Sequence, residues 1–230
     1  MDKKIFVLAA IVAVLAGIII YNLYSIVTVN QTVVENNVPG RLKDIVSSQM
    51  TASQKKPELP PPPFQAPLDR AGERVTKKPF GIYITPKNSP VKPEKFRGYH
   101  TGTDFEIFPE ELNADVAIVA ICDGTISQKK YASGYGGVLV ESCELDGQSV
   151  TIVYGHLKLA SIGKKVGDEI SKGEVTGILG RAYSAETSGE RKHLHLGVHK
   201  GSTVNILGYA QNQGELSGWV DSCSLDAVCK

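Results

Sequence analysis

The chain has 230 residues, 42% of them hydrophobic and 21% charged, enough for one core of moderate size with length left over for tails or linkers. Lys and Arg number 25 against 24 Asp and Glu, a net charge of +1, and no long basic run occurs. That balance gives a nucleic-acid role no electrostatic support, so no nucleic-acid partner is expected.

The first element follows Met1–Lys4. "IFVLAAIVAVLAGIIIY" (5–21) has no charged or strongly polar side chain, and "NLYSIVTV" extends it as a mixed but still apolar stretch; the next charge is Glu35. A helix needs roughly 20 such residues to cross the hydrocarbon core of a bilayer. The competing reading is a cleaved signal peptide, but no small-x-small site closes the run. The expectation is an uncleaved transmembrane anchor over 5–28. Lys3 and Lys4 lie tight against it while Arg41 and Lys43 lie well beyond, so 1–4 is expected as a cytoplasmic stub. The rest would then be extracytoplasmic on a single-pass protein of the cytoplasmic membrane.

From 29 to 78 no helical or strand period persists. "KPELPPPPFQAP" (56–67) carries four consecutive prolines, Pro60 to Pro63, which favour polyproline II. This segment is expected as a flexible Pro-rich stalk. From Pro79 the texture changes to short alternating or apolar runs separated by Gly, Asp and Asn. "VAIVAICDGTIS" (116–127) and "GGVLVESCELDGQSVTIVYGHL" (136–157) read as successive strands joined by tight turns. The expectation is a mainly β fold, a compact antiparallel domain over 79–221 with a short C-terminal tail, 222–230.

Four cysteines, Cys122, Cys143, Cys223 and Cys229, show no C-x-x-C spacing. Two disulfides in an oxidising compartment suit them, four buried thiols being the other reading. Antiparallel pairing of the strands on either side of Gln128–Gly137 would set Cys122 opposite Cys143. Cys223–Cys229 would then close a small loop.

Three of the five histidines fall in "HLHLGVHK" (193–200). In a strand, residues i and i+2 share a face, so His193 and His195 stand side by side. That pair suits a metal, a proton-transfer site or, more plainly, a polar strand face. "GYHTGTDFEIF" adds His100 and Asp104; catalytic zinc commonly takes three protein ligands of this kind and leaves one position open. His156 sits in "VYGHL". His199 shares parity with His195 but lies roughly 13 Å further along a strand, and is expected as a surface residue.

Together these form G-x-H-x-G-x-D (Gly98, His100, Gly102, Asp104), Y-x-H-L (Tyr154, His156, Leu157) and H-x-H (His193, His195). The set resembles the lysostaphin-type, or LytM-type, zinc endopeptidases, which cut peptide bonds in bacterial peptidoglycan; the likeness spans roughly Pro79 to Trp219. "PFGIYITP" (79–86), "AICDGTIS" (120–127) and "VGDEISKGEVTGILG" (166–180) are similar to other segments of that family. The last also looks like a lipoyl-carrier hairpin, but no lysine sits at a suitable turn. The resemblance implies one Zn²⁺ per domain held by His100, Asp104 and His195. It implies catalytic roles for His156 and His193 on the attacking water and the transition state, and a peptidoglycan peptide as substrate. A non-catalytic module that binds the wall or activates another hydrolase is the alternative, though such domains typically lose ligands and none is lost here. Two departures stand out, expected at the cleft rim: Glu190–Lys192 before the H-x-H, where the family has a small-residue run, and Leu196–Gly197 after it.

Overall fold

β-branched and aromatic residues fill the runs between the Gly and Asp punctuation, and these runs become the strands of the computed structural model, which describes residues 62–230. The expected stub, the anchor and the stalk up to residue 61 lie outside the described residues. Among the described residues no helix is long and apolar enough to cross a membrane.

A single-turn helix α1 (Ala71–Arg74) is followed by β1 (Tyr83–Ile84), β2 (Gly98–His100), β3 (Gly102–Glu106), β4 (Ala117–Val119), β5 (Gly124–Ala132) and β6 (Gly136–Leu145). Then come β7 (Gln148–Leu157), β8 (Glu169–Ile170), β9 (Val175–Ile178), β10 (His193–Lys200), β11 (Tyr209–Ala210), α2 (Gln213–Leu216) and β12 (Trp219–Val220). The main sheet has seven strands in the order β12-β10-β7-β6-β5-β8, with β3 sharing the free edge of β10 with β12. Small sheets β1-β2-β11 and β4-β9 flank it. Every strand pair is antiparallel, as expected.

The alternation along β10 separates two faces. Leu194, Leu196 and Val198 join Ile152, Tyr154, Leu139 and Phe105 in the larger apolar core. The opposite face, carrying His193 and His195, borders a smaller cluster of Tyr135, Val138, Val140, Val153 and Trp219.

Both domain boundaries differ from expectation. Residues 62–78 are not a free stalk: Phe64, Leu68 and Ala71 belong to the larger core. The backbone of this segment pairs with the domain, Gln65 N donating to Ile121 O (2.9 Å) and Pro67 O accepting from Val119 N (2.9 Å). Arg74 is buried, lies over the Phe108 ring and donates to Glu111 at 2.6 and 2.9 Å. Proline excludes a regular element but not burial: an irregular strap still delivers apolar side chains to a core. Residues 222–230 are likewise packed rather than a tail. Leu225 and Val228 enter the core, and Ser222 Oγ bonds Thr103 Oγ1 at 2.9 Å.

Both expected disulfides form, Cys122–Cys143 and Cys223–Cys229, with Cα atoms 6.5 and 5.0 Å apart. The first does not join directly opposed strand residues. Thr125 pairs with Ser142, and Cys122 lies before β5 begins, so it reaches Cys143 from beyond the strand end.

Glu141 shares strand parity with Leu139 and Cys143 and points into the apolar core, fully buried. Tyr154 Oη donates to its Oε2 (2.6 Å), while Oε1 has no partner among the described residues. Burial pushes this carboxyl up to about 8 from 4.5. Between those values the unfolded chain is ionised and the folded chain is not, so this group's contribution to stability is lost as pH rises from 4.5 toward 8. Glu141→Gln removes that slope and keeps an acceptor for Tyr154. The melting temperature of the variant relative to the parent is expected to climb between pH 5 and pH 8; a difference independent of pH would refute this.

Candidate active site

Register assembles the site. In the β10–β3 pair His195 stands opposite Asp104 and His193 opposite Glu106; in the β10–β7 pair His195 stands opposite Gly155. His100, Gly102, Asp104 and Glu106 share parity on their strands, so their side chains come to the same face as the H-x-H pair. His195 needs glycine on both sides. A Cβ on Gly102 would lie 2.7 Å from the His195 ring, and one on Gly155 would strike the Tyr135 ring at 2.5 Å and approach His195 Cβ at 3.2 Å.

Three donor atoms converge in this cradle. His100 Nε2 and His195 Nδ1 are 3.1 Å apart, His195 Nδ1 and Asp104 Oδ1 3.1 Å, His100 Nε2 and Asp104 Oδ1 3.2 Å. Zinc bonds of about 2.0–2.1 Å at tetrahedral angles put neighbouring donors about 3.3 Å apart, so the triangle has the size of one face of such a site. The orientations fit too. His100 Nδ1 faces the carbonyl of Pro79 at 3.3 Å, which turns the Nε2 lone pair into the triangle. All three residues are buried, and burial pulls the His195 imidazole down to about 4, leaving it neutral and able to ligate. Burial alone would raise Asp104; the charges of His100, His193 and Arg191 outweigh it and hold the carboxylate well below its usual range. A second group of close donors, Cys122, Glu141 and Cys143, has its sulfurs in the disulfide.

His156 reaches the same face by a different device. Gly155 and His156 together oppose Val138 alone, a β-bulge in β7, and His156 adopts a left-handed φ of 63°. The bulge re-aims a side chain that simple alternation would send into the core with Tyr154. Its ring lies 4.2 Å from that of His193, centroid to centroid. Burial, reinforced by the neighbouring His193 charge, holds His156 well below the usual histidine range, and its Nδ1 has no partner among the described residues. His193 is placed differently: Nδ1 donates to Arg191 O at 2.9 Å, and Nε2 lies 3.3 Å from Asp104 Oδ2. Thus all five residues singled out from the sequence line one cleft of about 360 Å³.

His199 stays apart from the donors. It packs edge-on against Trp219 at 4.8 Å and is partly buried rather than on the surface. The two departures are only in part at the rim: Glu190 is partly exposed and lines the cleft, 3.5 Å from Lys95, but the others are buried. Arg191 and Lys192 are 7% and 4% exposed, and Leu196 is a core residue with Gly197 beneath Trp219. Arg191 shares parity with His193 and His195, a signal in the sequence that a charge there faces the site. Tyr135 escaped notice altogether, since nothing in "SGYGG" distinguishes it. Its ring sits 5.3 Å from both His156 and His195, and its hydroxyl has no partner among the described residues. Opposite, Tyr209 lies 5.4 Å from the His100 ring and accepts from Lys78 Nζ (2.9 Å), which also pairs with buried Glu94 at 2.5 Å.

Residues 98–206 match the model of peptidase family M23. Among solved structures, the catalytic domain of the antimicrobial peptidase lysostaphin from Staphylococcus simulans is 22% identical, with 66% of this chain and 92% of that one covered and a TM-score of 0.44. LytU is also 22% identical, covering 66% of this chain and 86% of its own, TM-score 0.44. Csd3 from Helicobacter pylori is 26% identical over 65% of this chain but only 35% of its own, TM-score 0.40. No curated protein matches. His100, Asp104, His156, His193 and His195 all lie inside the segment of this chain that matches peptidase family M23.

Proposed function

We propose that this chain is a membrane-anchored, extracytoplasmic zinc endopeptidase that hydrolyses peptide bonds in peptidoglycan. The observation that carries the reading is the triangle His100 Nε2, Asp104 Oδ1 and His195 Nδ1, with edges of 3.1–3.2 Å and two further histidines beside it in one cleft. A non-catalytic wall-binding module would need neither the full donor set nor the second pair of imidazoles. The apolar run at 5–28 behind Lys3 and Lys4 supports the anchor, and two disulfides suit the oxidising side of the membrane.

His100, Asp104 and His195 would hold the zinc. When bound, zinc polarises the scissile carbonyl and makes water acidic enough to attack near neutral pH. The chain's own residues then divide the proton work. His156, kept neutral by burial, is suited to take the proton of the attacking water. His193, whose ring nitrogens both face acceptors, is suited to hydrogen-bond the carbonyl oxygen as charge develops, and the proton that His156 took from the water would pass to the leaving amine. Phe96 and Tyr209, stacked at 5.3 Å, and Leu207 form an apolar wall against which an extended peptide can lie.

Two experiments test this. His195→Ala should lose zinc and wall-digesting activity together. His193→Ala and His156→Ala should keep zinc yet lose activity by roughly 10²–10⁴-fold. Elemental analysis beside digestion rates of purified peptidoglycan decides it; equal zinc loss in His193→Ala and His195→Ala would overturn the division of roles. Separately, a reporter fused after Lys230 should be active only in its exported form, and cytoplasmic activity would overturn the topology.

A further inference from the structure

Arg191 sits two residues before His193, where the resemblance leads one to expect a small residue, and it is 7% exposed. Its Nη2 donates to Asp104 Oδ2 at 2.7 Å. The same guanidinium holds Glu106, with Nη2–Oε1 at 2.5 Å, Nε–Oε1 at 2.9 Å and Nε–Oε2 at 3.0 Å. Asp104 therefore has its oxygens divided: Oδ1 faces His100 Nε2 and His195 Nδ1, and Oδ2 accepts from Arg191, with His193 Nε2 further off at 3.3 Å. The main chain of Arg191 acts as well, its carbonyl accepting from His193 Nδ1 at 2.9 Å.

We infer that Arg191 is a positioning residue for the metal site: its fork restricts Asp104 to one-oxygen ligation through Oδ1 while its carbonyl orients His193. The inference rests on the zinc reading of the triangle. Glu106 is the necessary counterweight. A lone guanidinium beside Asp104 would oppose a bound cation, whereas Asp104 and Glu106 balance Arg191 and Lys77, the latter 3.1 Å from Glu106. Lysine cannot substitute. It is a point charge without the planar fork that spans two carboxylates at once.

The test uses the full-length chain stripped of metal, with zinc affinity measured by competition against a chromophoric chelator and melting of the metal-free form followed in parallel. The variants are Arg191→Lys, which keeps the charge, and the double replacement Arg191→Met with Glu106→Gln, which removes the buried pair without leaving either charge alone. Both are expected to melt near the parent when metal-free, yet to bind zinc 10–100-fold more weakly, the range for loss of a group that orients a ligand. A merely structural role would move melting and leave affinity unchanged. A parent that binds zinc while both variants bind it equally well would overturn the inference alone. A parent that binds no zinc would overturn the metal reading, and this inference with it.

Discussion

The site depends on the register of β10 between β3 and β7. Because the side-chain period of a strand is two, a slip of one residue would turn His193 and His195 into the apolar core and bring Leu194 and Leu196 to the cleft. The larger core forbids that slip: those two leucines are fully buried, among Phe105, Ile152 and Tyr154. Hydrophobic burial on one face thus holds the polar constellation on the other. Burying a Leu side chain contributes roughly 1.5–3 kcal/mol, so the alternation carries several kcal/mol against the slipped pairing.

Within that frame two local exceptions complete the cleft. Strand alternation alone would send His156 into the core, and the bulge at Gly155–His156 reverses it at the cost of a left-handed residue. Glycine at 102 leaves the hollow that the His195 ring fills, and glycine at 155 the one that the Tyr135 ring fills. The cleft is therefore built partly by side chains and partly by their omission. This explains why neutral imidazoles survive there: buried on a sheet face and walled by Tyr135, they have little water to stabilise a charge.

How much of this was legible depended on whether the signal was local. The parity of H-x-H and the spacing of H-x-x-x-D are short-range facts, and the strands that carry them follow from alternation and turn residues. The disulfide partners were legible because few cysteines left few choices, although the register between Cys122 and Cys143 was not, since the run 116–127 breaks into β4 and β5 and leaves Cys122 between them. The burial of Phe64, Leu68, Leu225 and Val228 was opaque for a different reason. These residues sit in irregular segments without any period, and only the tertiary structure supplies their partners. Arg191 falls between the two cases: its parity was visible, but that its charge lies in toward Asp104 rather than out at a rim required knowing where Glu106 goes.

The two irregular ends meet each other. Gly72 in α1 lies so close to the carbonyl oxygen of Cys229 that an added Cβ would come within 2.5 Å of it. Between them they cover the same flank of the core, and the strap continues into Pro79, whose carbonyl faces His100. The packed unit is therefore longer than the segment 98–206 that matches the family model. An excision cut to those limits would strip apolar cover from both sides of the core and take away the carbonyl that faces His100. The matched segment and the packed unit have different boundaries, and it is the second that an expression fragment must respect.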